Sequence, residues 1–460
     1  MEKHIKINDT ILLFDYYGTD SQDLYSSFRS AGFWYPAMVI EDNGFLPEDI
    51  LSAYGFFLGD FKEVLGERAH AKFFNQITVP EYWEISGNNS GGSVHDREKE
   101  RGRIFYAEPV HKRRVQIVDW YDEKGTVRSS DHYNRYGAVF ARTLFNAKGQ
   151  KATKSYFSAE GREVIVENFV TGDIILNQGD TVRIFHTKTD FVVYALEQAG
   201  FGESRIFFNS LSTPFFVSNR MKAVSGKRDK LFWQEPVGEE IPGNMQFLLN
   251  GHAGRTETIM VQKRESYDKL IALGANPDMT HRLGFLYSFV KENKHRQEAL
   301  ICTNSDRIEH CEKIVKTLPK VHFHIAALTE MSPKLMEMDN CENVSLYPNV
   351  KQTVLDDLFK ECDFYFDINH EKEIVSAVRK AFLHNQLIFA FEETIHNRNY
   401  IAKAHIYPAA SVDRLIADVK KTAKDGDVLE RRLKKQRDAA MAETAQRYEE
   451  VICGEWKESR

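Results

Sequence analysis

Apolar and polar residues alternate with a period of two between residues 103 and about 185, and short polar turns interrupt the alternation. Val139, Ala141 and Thr143, for example, share one face of a strand in this pattern. Three tetrapeptides begin with Asp, Asn or Ser and end with Gly: residues 122–125, 146–149 and 158–161. In such a hairpin turn the first side chain accepts a backbone hydrogen bond, and the glycine adopts the left-handed conformation. The stretch therefore predicts an antiparallel β-meander of five to eight strands.

The pattern changes on both sides of this meander, where buried-type strands alternate with helices. The opening predicts a strand at 10–14, a helix at 22–31 and a strand at 37–40. From about residue 284 a second series of strands and helices follows at 300–302, 305–317, 321–326, 354–360, 364–366, 371–383 and 387–390. Such alternation is typical of parallel, doubly wound sheets. The predicted fold class is α/β, with a pair of doubly wound (Rossmann-like) domains and an inserted antiparallel β-meander.

This interpretation divides the chain into five segments. They are residues 1–64 (domain I, first part), 65–185 (inserted extended antiparallel β-sheet), 186–280 (domain I, second part), 281–425 (domain II) and 426–460 (C-terminal amphipathic helix). Apolar residues near one face of 428–452 predict one long helix that straps the two domains together. We expect deletion of residues 103–185 to leave the flanking domains able to fold.

Composition and charge exclude several classes of function. A chain of 460 residues with 42% apolar side chains has material for two or three cores. A net charge of -6 and a pI near 6.3 give no excess of positive charge of the kind that a nucleic-acid-binding surface requires. Five cysteines without a close-spaced pair argue against a disulfide framework or a zinc site. No secretory or membrane-spanning segment is indicated, so we expect a cytoplasmic protein and leave open peripheral contact with the membrane.

Neither cofactor nor metal is expected from the remaining motifs. Phosphate-binding loops are glycine-rich, because backbone N–H groups must approach the phosphate. The loop at 15–20 instead contains two acids, two tyrosines and a single glycine, Gly18. His322 and His324 alternate on a strand without an evident acid partner or third ligand, which indicates neither a metal site nor a general base.

A pair of doubly wound domains resembles the GT-B fold of nucleotide-sugar glycosyltransferases. In retaining members of that fold, the resemblance implies two glutamates eight positions apart at the start of a helix in the second domain. Here the first is Glu371, but the second position holds Arg379. A guanidinium has only donors and cannot accept hydrogen bonds from ribose hydroxyls. These positions indicate a degenerate donor site, and Glu371 has the alternative role of a helix N-terminal acid favoured by the macrodipole.

Several motifs resemble the GtfB family, the non-catalytic stabilising subunits of an O-linked N-acetylglucosamine transferase. They are LFDYY at 13–17, VIEDNGFLP at 39–47, VDW at 118–120, RSSDHYNRYG at 128–137 and NFVTGDIILN at 168–177. The resemblance implies a catalytic GtfA-like partner that binds UDP-N-acetylglucosamine. It also implies an unfolded Ser/Thr-rich acceptor, the serine-rich repeat adhesins exported by the accessory Sec system. The chain itself is then not an enzyme, and the groove between its two domains is the expected place for the acceptor.

The meander is expected to carry the partner-binding surface, and the alternative is a structural cap over the first domain. The candidate partner-binding residues are Trp120, Tyr133, Arg135, Tyr136, Phe157 and Phe169.

Other hypotheses stay open. The chain could itself be an active retaining GT-B glycosyltransferase, dependent on UDP-N-acetylglucosamine with a wall-polymer or protein acceptor, that uses Glu371 and a basic clamp. It could also be a purely structural subunit that never touches acceptor. Arg255, Lys263 and Arg264 are either a phosphate clamp or solvated charges. The basic residues of 431–437 either contact anionic lipid or form the solvent-exposed face of a helix.

Overall fold

The computed structural model describes residues 9–226 and 228–453, which form two compact units. The first unit extends to Arg282 and the second begins at Leu283, apart from short crossing segments. No helix in the described ranges combines the length and apolar character needed to cross a membrane.

The first unit combines a parallel sheet, an antiparallel sheet and six α-helices among its described residues. Its opening elements are β1 (Thr10–Phe14), α1 (Thr19–Ser30), β2 (Ala37–Val39), β3 (Ile50–Ser52) and α2 (Phe61–Leu65). The antiparallel strands are β4 (Glu84–Gly87), β5 (Gly92–Asp96), β6 (Lys99–Tyr106), β7 (Val115–Tyr121), β8 (Val127–Tyr133), β9 (Val139–Phe145), β10 (Lys151–Phe157), β11 (Glu163–Asn168), β12 (Ile174–Gln178) and β13 (Thr181–Phe185). The unit closes with α3 (Lys188–Gln198), β14 (Arg205–Phe208), α4 (Thr213–Arg220), β15 (Asp229–Trp233), α5 (Gly243–Leu249), β16 (Thr256–Val261), α6 (Arg264–Ala272) and β17 (Thr280–Arg282).

The second unit contains a parallel sheet with helices. Its elements are β18 (Glu298–Cys302), α7 (Cys311–Thr317), β19 (His322–Ala326), α8 (Pro333–Met336), β20 (Val344–Tyr347), α9 (Gln352–Glu361), β21 (Phe364–Asp367), α10 (Ala377–Leu383), β22 (Leu387–Phe391), β23 (Ile406–Tyr407), α11 (Val412–Lys424), α12 (Gly426–Ala439) and α13 (Ala445–Cys453).

Both parallel sheets are doubly wound. The strand order is β17-β16-β15-β14-β1-β2-β3 in the first unit and β20-β19-β18-β21-β22-β23 in the second. The central strands β1, β21 and β22 are buried along their whole length. Strands covered by helices on both faces have continuous apolar sequences, which is why the sequence pattern revealed them. The predicted α/β class with two doubly wound units and an inserted meander is confirmed.

The meander has ten strands, more than the five to eight that were predicted, and each pairs with its neighbours in sequence from β4 to β13. Its first strand begins at Glu84, inside the segment 65–185 that was assigned to the inserted sheet but before residue 103, where the apolar alternation starts. The alternation did not reveal β4 and β5, because both strands are polar and largely unburied. The three predicted turns are present, with Gly125, Gly149 and Gly161 at φ values of 79°, 73° and 79°. In the first turn, the backbone N–H of Lys124 donates to Asp122 Oδ1 over 2.8 Å.

One face of the second half of the meander shares a core with the parallel sheet of the first unit. Its residues Ala141, Tyr156, Ile165 and Leu176 belong to the same buried cluster as Phe191 of α3. The sharing of one core argues against the expectation that the flanking segments fold without residues 103–185, because the deletion would expose that cluster to water.

Two salt bridges from one lysine also hold the meander against the parallel sheet of the first unit. Lys188, the first residue of α3, lies 2.5 Å from Glu41 Oε1 after β2 and 3.0 Å from Glu167 Oε1 on β11. Glu167 is buried, so a charged partner is needed to hold its carboxylate in the core. One lysine therefore joins the parallel sheet, the meander and the helix that follows it.

The predicted long C-terminal helix is two helices, α12 and α13, separated by a turn at residues 440–441 and a single bridge residue, Ala442. Met441 adopts a left-handed φ of 52°, and Phe285 pairs with this segment by donating its N–H to Met441 O over 2.9 Å. A Cβ at Gly284 would lie 1.8 Å from Met441 O, so only glycine fits there. A tertiary backbone contact therefore breaks a helix that local sequence favours.

Candidate functional site

The candidate site of the second unit lies at the carboxyl ends of β18, β19 and β21. In doubly wound sheets this edge is where ligands bind. A cavity of about 600 Å³ opens here. Its polar lining residues are Asn304, Ser305, Asp306, Glu330, Ser332, Glu371 and Lys372. Ala327, Met331 and Leu335 supply the apolar part of the lining.

Two loops pair across this edge and place Arg307 beside Glu371. Ile308 forms an antiparallel bridge with Asn369, and the N–H of His370 donates to Arg307 O over 3.0 Å. This pairing keeps 305–310 out of a helix, so α7 begins at Cys311 rather than at residue 305 as predicted. Arg307 Nη1 consequently lies 3.1 Å from Glu371 Oε1.

Glu371 is not the N-terminal acid of a helix, and that interpretation was wrong. It lies in the loop after β21, and α10 begins only at Ala377. Glu373 takes the capping role instead, because its Oε1 accepts the N–H of Val378 over 2.8 Å. Burial raises the pKa of the Glu373 carboxyl. The helix starts late because Val375 and Ser376 are both left-handed, with φ values of 49° and 50°.

The charge of the cavity does not suit a nucleoside diphosphate. Three carboxylates and one ammonium, that of Lys372, line it. Arg307 already pairs with Glu371, and Arg379 on α10 is absent from the described lining. Two like charges 4 Å apart at an effective dielectric constant of about 20 repel by about 4 kcal/mol. Diphosphate binding is therefore disfavoured at this edge of the sheet.

His396 and Asp367 hold the loop that carries Glu371. His396 Nδ1 lies 2.5 Å from Asp367 Oδ1, and its Nε2 lies 2.6 Å from Glu371 O. Both ring nitrogens donate only when the imidazole is protonated. The hydrogen bond to Asp367 raises the pKa of His396 to about 9. Protonated His396 thus ties the backbone of Glu371 to the end of β21.

We expect this pair to make the stability of the second unit depend on pH. Because the pKa of His396 is raised to about 9 from an unfolded value near 6.5, its contribution is complete below pH 6.5 and is lost as the pH rises through 9. The contribution is about 2 kcal/mol after a discount for partial solvent exposure. NMR titration of the imidazole and urea unfolding between pH 6 and 10 would measure it.

The matched comparison is His396→Gln against His252→Gln, an exposed histidine of the first unit. The difference in unfolding free energy between the wild type and His396→Gln should shrink above pH 9, whereas the His252→Gln difference should stay constant. An imidazole that titrates below pH 7 would contradict the assignment.

Other charged candidates have structural partners. Arg255 is neither a phosphate clamp nor a solvated charge: it is buried, with Nε 2.9 Å from Asp229 Oδ2. The prediction that His324 lacks an acid partner was wrong, since Nε2 lies 2.8 Å from Glu298 Oε2 on β18. No group of three or more His, Cys, Asp or Glu residues suited to a metal ion occurs in the described parts of the chain.

The predicted partner-binding residues of the meander fall into two groups. Tyr133 is only 4% exposed and belongs to a second buried cluster, so its side chain is not available to a partner. Arg135 donates from Nη1 to Leu46 O over 3.0 Å, and Tyr136 packs against the shared core. These three side chains serve the fold of the first unit.

The remaining three reach the surface to different degrees. Trp120 is half-buried and donates from Nε1 to Asp131 Oδ2 over 2.8 Å. Phe157 is also half-buried. Phe169 is exposed, with Lys151 Nζ 5.6 Å from its ring centre.

An apolar surface on the outer face of β9–β13 was missed by the sequence analysis. The registers Val166↔Ile175 and Ile175↔Ile184 place these side chains on one face, opposite the buried face that carries Ile165 and Leu176. Val182 and Ile184 are 60% and 58% exposed on the edge strand β13. We call Leu144, Val166, Ile175, Val182 and Ile184 the outer stripe. The alternation with a period of two identifies these residues as lying on one face of their strands. Only the strand register in the structure shows that the opposite face packs on the shared core.

Family models of GtfB match most of the chain in four parts. The GtfB N-terminal domain matches residues 11–57, the middle domain 83–186 and the third domain 188–273. The GftB/GlyA-F C-terminal domain matches residues 299–436.

Full-length relatives and solved structures agree with these matches. The UDP-N-acetylglucosamine–peptide N-acetylglucosaminyltransferase stabilizing protein GtfB of Streptococcus agalactiae is 44% identical over 96% of this chain and 99% of its own. Its counterpart in Streptococcus gordonii is 42% identical over 88% of this chain and 90% of its own. A chain in the crystal structure of the GtfA/B complex bound to UDP and GlcNAc is 41% identical, with a TM-score of 0.90 and coverage of 96% and 99%. The chain belongs to the GtfB family of stabilizing proteins.

Proposed function

We propose that this chain is the non-catalytic stabilising and acceptor-binding subunit of a two-component O-GlcNAc transferase. Its partner is a catalytic GtfA-like subunit, and its acceptor is the unfolded Ser/Thr-rich polypeptide of serine-rich repeat adhesins exported by the accessory Sec system. The observation that carries the proposal is the acidic donor edge, where Arg307 pairs with Glu371 and three carboxylates line the cavity. The relatives named as stabilizing proteins of the transferase support it.

Stabilisation in this proposal is a consequence of binding. A partner that binds the native but not the unfolded state adds its binding free energy to folding stability. The outer stripe is the best surface for such a partner, because exposed apolar patches on a sheet mark protein–protein contacts. We place the stabilising subunit in the cytoplasm, with peripheral contact at times with the cytoplasmic face of the cell membrane. The free thiols of Cys302, Cys311 and Cys362 are buried and fit a reducing compartment.

Separate and combined transfer assays test the proposal. The purified chain with UDP-N-acetylglucosamine and a Ser/Thr-rich peptide should give no product, and the co-purified pair should modify the peptide. The pair should also have a higher melting temperature than the catalytic subunit alone. Transfer of N-acetylglucosamine by this chain alone, abolished in Glu371→Gln, would instead establish a divergent retaining enzyme.

The partner surface has its own prediction. Val182→Asp with Ile184→Asp introduces two charges into the outer stripe, which would be desolvated in a complex. We expect the pull-down of the catalytic subunit to fall by at least about tenfold, with the circular dichroism spectrum unchanged. Val170→Asp is the matched control, since Val170 is exposed in the turn after β11 and lies outside the stripe. Equal pull-down by both variants would exclude this surface.

A further inference from the structure

Two arginines of the meander contact the loop between β2 and β3 in the first unit. The guanidinium carbon of Arg114, just before β7, lies 5.4 Å from the ring centre of Phe45 in that loop. Arg135, in the turn between β8 and β9, donates from Nη1 to Leu46 O over 3.0 Å and from its backbone N–H to Gly44 O over 2.7 Å. Neighbouring residues of one loop therefore bring the two guanidinium groups together.

The backbone of this loop has a fixed shape. Gly44 has a φ of 81°, and a Cβ there would lie 2.4 Å from Tyr133 O, so only glycine fits. Asp42 Oδ1 accepts the N–H of Gly44 over 2.7 Å, and Asn43 O accepts from Nε2 of Gln116 over 3.3 Å. The loop therefore presents a preformed surface to the two arginines.

Most donors of the two guanidinium groups remain available to a ligand. Among the described residues, the Arg114 side chain donates from Nη2 to Glu108 O, and the Arg135 side chain donates to Leu46 O. Both acceptors are backbone carbonyls rather than carboxylates, and Nε of Arg114 is buried without a hydrogen-bond partner in the described chain. A guanidinium has five N–H donors, and both side chains are only half-buried. A ligand with several acceptor oxygens would satisfy them.

The two positive charges repel each other in the absence of an anion. Burial lowers the pKa of the Arg114 guanidinium, and the charge of Arg135 lowers it further. An anion bound between the two groups would replace this repulsion by attraction. The planar fork of a guanidinium matches the spacing of oxygens in carboxylates and phosphates.

A phosphate group fits this pair better than a carboxylate. One guanidinium is enough to bind both oxygens of a carboxylate in a bidentate pair. A phosphate monoester carries a charge of about −1.5 to −2 at pH 7 and three acceptor oxygens, which match two guanidinium groups.

We propose that Arg114 and Arg135 form a binding site for the phosphate group of a phosphate monoester. Phe45 and Leu46 position the two guanidinium groups, and the phosphate oxygens accept from their remaining N–H groups. The site lies outside the outer stripe and outside the cavity of the second unit. Loss of phosphate binding would therefore leave the proposed function intact.

Calorimetric titration of the purified full chain with inorganic phosphate, at an ionic strength held constant with sodium chloride, tests the site. The wild type should bind one phosphate per chain. Arg114→Gln with Arg135→Gln should weaken binding at least about tenfold, because hydrogen bonds to a charged group are lost. Arg128→Gln with Lys148→Gln is the matched control, since it removes the same charge from exposed positions at the opposite ends of β8 and β9. The control variant should bind phosphate as the wild type does.

Arg114→Lys keeps the test decisive if circular dichroism shows that the double glutamine variant does not fold. Lysine retains the positive charge but lacks the planar fork, so we expect binding to weaken about threefold. Unchanged affinity in the folded double variant, or in Arg114→Lys where the double variant does not fold, would overturn the proposal. Absence of saturable binding by the wild type, or an equal loss in the control variant, would overturn it as well.

Vesicles distinguish the two sources of such a phosphate group. Sedimentation with phosphatidic acid vesicles, compared with phosphatidylcholine vesicles, measures binding to a lipid headgroup. Co-sedimentation that the double variant loses and that inorganic phosphate displaces would support the site with a membrane lipid as its ligand. Phosphate binding without co-sedimentation would support the site with a soluble phosphate compound as its ligand.

Discussion

Tyr156→Ala should lower the free energy of unfolding of the first unit by about 3–5 kcal/mol, the usual cost of truncating a large buried aromatic residue. The ring of Tyr156 on β10 stacks on Tyr54 with centroids 4.4 Å apart, and Tyr54 in turn lies 4.8 Å from Phe191 of α3. Tyr156 and Tyr54 are 1% and 0% exposed. The substitution opens a cavity at the junction of meander and parallel sheet. Urea unfolding followed by circular dichroism measures the loss.

Tyr82→Ala is the control for this substitution, because Tyr82 is 88% exposed and should change stability by no more than about 0.5 kcal/mol. Binding to the catalytic partner should fall with Tyr156→Ala as the meander loses its support. A loss below about 1 kcal/mol would mean that the meander is an independent module, and the deletion of residues 103–185 would then become an informative test after all.

Much of the fold was predictable because its signals are local. The Asx-type turns at Asp122 and Asn146 hold their own backbone, and the buried strands of the parallel sheets are continuous apolar runs. The errors arose where a distant segment decides the local structure. Ile308 pairs with Asn369, and Phe285 pairs with the segment at Met441, so two predicted helices are shorter than their sequences suggest.

The candidate site likewise combines features that the local sequence reveals with features that depend on distant segments. The pair Glu371 and Arg379 was visible as a departure from a known spacing. The partners of Glu371 were not, because Arg307 is 64 positions away and His396 is 25. Nothing in the local sequence brings these side chains together. The acidity of the cavity likewise follows only once three loops meet at one edge.

The partner surface required knowledge of burial as well as alternation. Tyr133 is aromatic and lies in one of the stretches that carry the resemblance to the GtfB family, yet it is buried. Val182 and Ile184 are exposed and apolar, but period two alone gives no preference between the faces of a strand. The pairing of β13 with β12 shows that Val182 and Ile184 lie on the face that points away from the shared core and is exposed to solvent.

A second large effect is expected for Asp229→Asn in the core of the first unit. Asp229 at the start of β15 is 0% exposed, and its Oδ1 lies 3.1 Å from Nη2 of Arg255, which is 3% exposed. The carboxylate also accepts the N–H of Ile206 over 2.8 Å and the hydroxyl of Ser218 over 2.6 Å. The amide leaves Arg255 buried without a counter-charge. Breaking a buried pair in this way costs about 3–5 kcal/mol.

Two further variants separate the charge effect from the packing effect. Asp278→Asn changes an exposed aspartate before β17 and should leave unfolding free energy within about 0.5 kcal/mol of the wild type. Asp229→Leu combined with Arg255→Met replaces both charges by apolar groups and should recover much of the loss, because the cost lies in the uncompensated guanidinium. If the double variant is as unstable as Asp229→Asn, the hydrogen bonds to Ile206 and Ser218 matter more than the ion pair. A loss below about 1 kcal/mol for Asp229→Asn would show that Arg255 finds sufficient neutral acceptors in Ser204 O and Lys222 O.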